Sequence, residues 1–381
     1  MPIHRGAVTT WNILDTRRDW NMSKQIMMYY PNVSKFTVML LRAHKGRTSS
    51  LKTFWPEDVD DGYRTLINNA AGYDAVTQTL TLDSTLICQA GDILFNARTN
   101  EHMLVDAGPD DENNTIHVIR GYGETAAAAI NDNDPIWNLG NASEEASTSP
   151  ESRSTQPDEL WNVVQHMRTP YEVSNDNIQE GKKYGKDERK RLGTKALRRH
   201  RTALERVILL GERKYTTSER RTCGGLLTTF IKSNVYSTGG TMTENKFYEF
   251  SEMAFAGSDD EERTLVCSSR VLTVLNKIFA GRITISPLLK KYGMRLQQIV
   301  TPHGTFYLVK SKALEYEYYD EAVSVSMDNI ELQIFSGNDT KLYPDIKKEN
   351  GYDGKKDEYR TKFTLKVTLE KKHARLTDCA A

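Results

Sequence analysis

Few residues in this 381-residue chain have the type and spacing that chemistry demands. The nearest approach is Gly121-Tyr122-Gly123-Glu124-Thr125-Ala126, which spells GxGxxA after a strand-like Ile116 to Arg120. Glycines so spaced let a backbone close on a pyrophosphate whose charge sits at a helix N-terminus. Here the helical run that follows is about five residues long before Asn131-Asp132-Asn133-Asp134-Pro135 breaks it. That is too short for a phosphate-binding helix, so the stretch reads as a turn. Asp132-Asn133-Asp134 offers alternating oxygen ligands but lacks the Gly and closing Glu of a calcium loop. Cys267 ends an apolar run beside Ser268 and Ser269. A nucleophile is one reading; a small buried hydrophobe suits the run better. His303, at a turn before a strand, reads as a hydrogen-bonded turn histidine rather than a base. GxSxG, HExxH and Walker A are all missing. The expectation is no catalytic residue, no cofactor-binding residue, no metal ligand and no enzyme.

The elements that would position any site are easier to read. Lys186 to Gly211 carries the longest helical pattern, about 39 Å at ~1.5 Å per residue. Leu192, Ala196, His200, Ala203, Val207 and Leu210 share one face, widened by Leu197, Leu204 and Ile208. Gly211 reads as the stop, and Gly193 weakens the helix by about 1 kcal/mol relative to Ala. The other face is basic: from Lys186 to Arg206 there are nine Lys or Arg and three Asp or Glu. A solvated face and a face turned toward a polyanion or an acidic neighbour both fit. A helix apolar on one side needs a cover. The cleanest period-2 strand, Tyr359 to Lys372, supplies one through Phe363, Leu365, Val367 and Leu369.

Lys plus Arg and Asp plus Glu both number 51, so net charge favours no partner class. The distribution is uneven, with ten acidic residues against Arg120 alone between Asn100 and Glu145. Cys88, Cys223, Cys267 and Cys379 stand far apart, which favours reduced structural thiols over disulfides or a zinc site. The N-terminus lacks a signal pattern, and no apolar run approaches the ~18 residues of a membrane span.

Residues 1 to about 35 read as an irregular arm with scattered Trp and Tyr, followed by the short apolar Lys35 to Ala43. Residues 47–60 read as one exposed strand. Residues 68–140 read as a small barrel or sandwich with four strands, in TQTLTLD, GDILFNA, EHMLVDA and NTIHVIR. Residues 141–158 are a Ser/Thr/Glu/Pro-rich loop, and 161–174 an extended strand. Beyond the long helix, Gly224-Gly225 make a turn. Thr241 and Glu244 suggest a capping box for a helix that places Phe247, Phe250 and Ala254 together. A strand at RTLVC then leads into a second helix capped by Ser268 or Ser269, and the remainder is β-rich.

These stretches together resemble the major capsid proteins of tailed double-stranded DNA bacteriophages, in the branch with a small inserted β domain. The matching segments run in order from AAGYDAVTQTLTLD through AGDILFNARTNEHMLV, VIRGYGETAAAAI, ERVILLGERK, RRTCGGLLTTFI and CSSRVLTVLNKIF to DEYRTKFTLKVTLEKKHARL. The resemblance implies an α+β, Hong Kong 97-type capsid fold with a long spine helix. It implies an N-terminal arm at 1–48, an extended loop at 49–67 and 141–165, and an inserted β domain at 68–140. A peripheral domain would occupy 166–222 and 345–381, and an axial domain 223–344. It further implies self-assembly into hexamers and pentamers of an icosahedral shell that encloses double-stranded DNA bound non-specifically. Decoration, scaffold and portal proteins would be partners, a membrane would not, and assembly would take place in the host cytoplasm. The rivals are an encapsulin-like shell around protein cargo and a nucleic-acid-binding protein that uses the basic helix.

Overall fold

A computed structural model of the chain describes residues 34–58, 62–143, 145, 156–180, 187–216, 220–256, 260–280, 284–291, 294–346 and 353–379. Most of the expected arm, most of the Ser/Thr-rich loop and Lys186 lie outside the described residues. The chain divides into two compact units, residues 1–55 with 160–381, and residues 56–159. The described residues begin with α1 (Lys35–Ala43), β1 (Lys45–Thr48) and β2 (Lys52–Glu57). The second unit holds β3 (Arg64–Leu66), β4 (Thr79–Thr81), β5 (Asp92–Asn96), β6 (Glu101–Val105), β7 (Thr115–Ile119) and β8 (Pro135–Asn141). The chain returns through β9 (Asp158–Val163), β10 (Gln165–Ser174), α2 (Asn175–Gln179) and the long α3 (Glu188–Leu210). There follow β11 (Val235–Ser237), α4 (Glu244–Phe255), β12 (Glu262–Cys267) and α5 (Ser269–Ile278). The last stretch is mostly strand, broken by short 3-10 turns: β13 (Thr284–Lys291), β14 (Met294–Thr301), β15 (Gly304–Lys310), β16 (Ala322–Val325), β17 (Ile330–Phe335), β18 (Lys341–Tyr343), β19 (Gly354–Val367) and β20 (Ala374–Thr377).

The spine α3 is built as its sequence dictates, with its buried line slightly rotated. Asp187 caps it, accepting from Lys190 N at 2.9 Å. The fully buried line is Gly193, Ala196, His200, Leu204 and Ile208, while Leu192, Ala203, Val207 and Leu210 sit half-buried beside it. The rotation follows from what lies beneath. A Cβ on Gly193 would stand 2.8 Å from Tyr171 Oη, so the glycine leaves room for the Tyr171 ring of β10 against the helix. His200 bonds down through both ring nitrogens, Nδ1 to Thr169 Oγ1 at 2.8 Å and Nε2 to Thr361 Oγ1 at 2.7 Å. Gly211 ends the helix, in extended conformation rather than left-handed. Any Cβ there would lie 2.5 Å from both Val207 O and Cys223 O. Gly225 N donates back to Gly211 O at 2.6 Å, which locks the Gly224-Gly225 segment onto the end of the spine; Gly225 is extended, and the expected turn there does not form.

The sheet under α3 runs β1-β17-β19-β10, with β18 also on β19. Leu204, Ile208 and Leu209 share one core with Phe36, Met39 and Leu40 of α1 and with Phe363, Leu365 and Val367 of β19. The apolar face of β19 stops at Val367. Leu369 does not continue it, because its φ of +54° ends the strand and starts a short 3-10 turn. Nor are residues 47–60 one exposed strand. Polar β1 pairs in parallel with β17 at the edge of this sheet, and Trp55 of β2 is buried, 6.0 Å from the ring of Phe230. Lys35 to Ala43 is a helix whose Phe36, Met39 and Leu40 reach that core.

A seven-stranded sheet, β11-β20-β16-β12-β15-β14-β13, carries α4 and α5. Its core stacks Phe247, Phe250 and Phe306, with ring centres 5.5 to 6.1 Å apart. The cap of α4 is Thr243, which accepts from Lys246 N, and not Thr241. Lys246 stands where a capping box would need Glu or Gln, so that box does not form. Ser268 caps α5, accepting from Val271 N at 3.2 Å.

In the second unit six strands run β3-β8-β5-β6-β7-β4, and the two end strands meet through a bridge between Ile67 and Leu82. Asn68 N to Thr81 O at 3.0 Å and Asp83 N to Leu66 O at 2.9 Å close the ring of strands into a small barrel. Leu94, Met103, Val105, Ile116 and Val118 alternate inward to fill it. Four strands were expected. The other two are β3, only three residues long, and β8, which opens on Pro135 and has an irregular register with β5.

Candidate assembly surface

Two of the positions that spelled chemistry, the Gly121 turn and Asp134, are occupied by structural bonds. Gly121 has φ +62° in the turn after β7, and no helix follows it before β8. The amides a phosphate would need are already used: Glu101 accepts from Gly121 N at 3.0 Å and from Ala128 N at 3.2 Å. Glu101 also holds Arg120 in a buried two-point ion pair at 2.7 and 2.8 Å. Arg120 in turn donates to the carbonyls of Asp74, Thr77 and Ala128. Burial works against the Glu101 charge, but Arg120 and the two amides outweigh it and hold the carboxyl below its ordinary range. Asp134 is likewise filled, by Arg98 Nε at 2.8 Å, Asn131 N at 2.8 Å and Asn96 Nδ2 at 3.3 Å. Together these two pairs pin the loop between β7 and β8 to the barrel. No group of His, Cys, Asp and Glu among the described residues is arranged to hold a metal. Cys267 is buried, and burial pushes its thiol up to about 12, so no thiolate forms near neutral pH. His303 lies exposed on the turn from β14 to β15, and its ring has no hydrogen-bond partner among the described residues; the expected turn bond is not made.

What the first unit does present is surface. The outward side of α3 exposes Lys190, Arg198, Arg199, Arg201 and Arg206. Two cations of this helix are consumed internally: Arg189 by Asp357 at 2.6 Å and Asp345 at 3.1 Å, and Arg191 by Glu188. Lys190, Lys195, Arg199, Arg201 and Arg206 make no ion pair among the described residues. The inward side holds a carboxylate that sequence reading passed over. Glu205 is buried and accepts from Thr37 N and Oγ1, each at 3.3 Å, and from Ser311 Oγ at 2.5 Å. It thus caps the first turn of α1, whose own Ser34 makes no side-chain cap.

The SU10 major capsid protein family model matches residues 6–380. The chain belongs to the SU10 major capsid protein family. As a member it is a shell-forming capsid protein and a component of the virion capsid. Solved structures agree in fold. The capsid of the native GTA particle aligns at 12% identity over 96% of this chain and 97% of that chain, with a TM-score of 0.52. The Mycobacterium phage Bobi chain aligns at 10% identity over 95% and 96%, also at 0.52. The SrpI encapsulin from Synechococcus elongatus PCC 7942 aligns at 11% identity over 60% of this chain and 77% of that one, with a TM-score of 0.44. No curated protein matches the sequence. The long spine, the two sheets it accompanies and the small barrel are therefore those of a Hong Kong 97-type phage capsid subunit.

Proposed function

We propose that this capsid protein forms hexamers and pentamers of an icosahedral shell, assembled in the host cytoplasm around packaged double-stranded DNA, and that it catalyses nothing. A closed shell needs heterologous contacts that make rings and further contacts that join them. In this reading 166–222 and 345–381 form the peripheral domain around α3, and 223–344 the axial domain. Residues 49–67 and 141–165 form the extended loop, 68–140 the inserted domain and 1–48 the arm. Portal, scaffold and decoration proteins complete the particle. A membrane is not a partner; no helix among the described residues is long and apolar enough to cross one.

The observation that carries the DNA reading is the row of exposed cations on α3 that make no ion pair among the described residues, Arg199, Arg201 and Arg206 among them. Such a row gains from counterion release at a phosphate backbone and needs no base readout. The barrel unit is acidic, so it belongs on the outer side, away from the DNA. Two measurements on purified particles test this. Nuclease treatment should leave protected double-stranded DNA; shells filled with protein and free of DNA would contradict it. Protease should cut the exposed turn around Asp110 to Asn114 in filled particles. Cleavage only after the particles are broken would reverse the sidedness.

A further inference from the structure

The charge of this neutral chain is segregated by unit. Residues 56–159 contain twenty Asp or Glu, four Arg and no Lys, leaving the remainder with 31 acidic and 47 basic residues. One unit is thus net −16 and the other net +16. Within the positive unit one cationic group is built differently from the arginines of α3. Lys52 Nζ lies 3.9 Å from the centre of the Trp161 ring, and Arg213 Cζ lies 4.0 Å from it. Lys52 also sits 4.5 Å from the Phe54 ring and 5.8 Å from the Tyr215 ring. Arg213 donates to Trp161 O at 2.6 Å, which fixes the guanidinium on the indole. Phe54 is 52% exposed and Tyr215 48% exposed. Neither cation has a carboxylate partner among the described residues.

Two cations held over one indole stabilise each other poorly. Each gains from the ring, yet they repel, and Arg213 is partly desolvated without a counter-ion. The group lacks a negative charge, and its rim is aromatic. Arg, Trp, Tyr and Phe are the residues that anchor protein interfaces. Duplex DNA suits the group less well, because its bases are stacked and offer exposed aromatic side chains nothing to lie on. The acidic unit of the same chain, present in many copies wherever a shell assembles, supplies carboxylates in excess.

We propose that the Lys52–Trp161–Arg213 group, rimmed by Phe54 and Tyr215, is a contact site for a second copy of this chain and receives a carboxylate from that copy's 56–159 unit. The proposal rests on the shell-forming function and adds which surfaces meet. The contact is heterologous, positive unit to negative unit, so it propagates from copy to copy. It also gives assembly a strong dependence on salt.

The test is zero-length carbodiimide coupling on intact shells assembled from a mixture of light and heavy-isotope copies. The expected product joins the Lys52 amine to an Asp or Glu of residues 56–159, with one light and one heavy peptide. Coupling of Lys52 only to carboxylates of its own copy overturns the proposal. So does coupling that appears only after DNA is removed, which would make a phosphate the occupant. A second arm uses the double variant Lys52→Gln, Arg213→Gln, with thermal melting of the free subunit to verify its fold. The folded variant should need about tenfold more subunit to form shells, a loss of one contact worth a factor of ten, and should dissociate at lower salt. Unchanged assembly by a folded variant also overturns the contact. Failure of the unmodified protein to form any shell would instead count against shell assembly itself.

Discussion

Glu205 lies on the inward side of α3, and its environment sets two influences against each other. Burial favours the neutral acid, while the donors from Thr37 and Ser311 favour the carboxylate; burial prevails and raises its pKa above the ordinary 4.5. Stability from this group is complete below that ordinary value and is lost as pH rises through the raised folded value. Glu205→Gln keeps an acceptor for Thr37 N and removes the charge, so it should melt at least as high as the parent at pH 7. Glu205→Leu strands the Thr37 and Ser311 donors and should lose about 1–3 kcal/mol. Melting curves of both variants decide it, and a Gln variant as unstable as the Leu variant would refute this account. His373 runs the other way. It is buried, accepts from Ser326 N at 3.3 Å and bonds Thr368 O at 3.1 Å, and burial pushes its pKa down to about 4. Its contribution is present above the ordinary 6.5 and is lost as pH falls from there toward about 4. The loss is of order 3 kcal/mol, from ~1.4 kcal/mol per pKa unit. Stability measured from pH 7 to pH 4 should fall by that order, and His373→Gln should flatten the slope. Neither residue was legible in the sequence, because Glu205 meets its partners across 168 and 106 positions and His373 meets Ser326 across 47.

At the scale of elements, periodicity revealed α3 and β19 because each has one apolar side, and burying that side is what forms it. Leu204→Ala should cost about 2–5 kcal/mol in unfolding free energy, since Leu204 shares a core with β19. Gly193 separates propensity from packing. Helix propensity alone makes Gly193→Ala stabilising by about 1 kcal/mol. The Tyr171 hydroxyl, 2.8 Å from where the new Cβ would stand, reverses that sign. A lower melting temperature for Gly193→Ala, partly recovered by adding Tyr171→Phe, is the expected pattern; a stabilised single variant would place packing second. The elements that sequence hid share a physical cause. Strand β1 is polar because it lies at the edge of its sheet, β3 is too short to show a period, and β8 begins with a proline. The barrel closes by pairing Ile67 with Leu82, a link no local pattern encodes.

For the whole molecule, 51 positive and 51 negative residues concealed two units of opposite sign, because a net charge sums over a boundary that only the fold draws. The number and order of the short matching segments pointed to a shell subunit, and membership of the SU10 major capsid protein family bears that out. A subunit of opposed charges should associate less readily as salt rises, and light scattering across a salt series should show the aggregation threshold climbing. Assembly of the purified protein at high concentration is read by electron microscopy. Closed icosahedral shells built of five- and six-membered rings are predicted; a protein that stays monodisperse and monomeric, with no rings alone or with its phage partners, would contradict it.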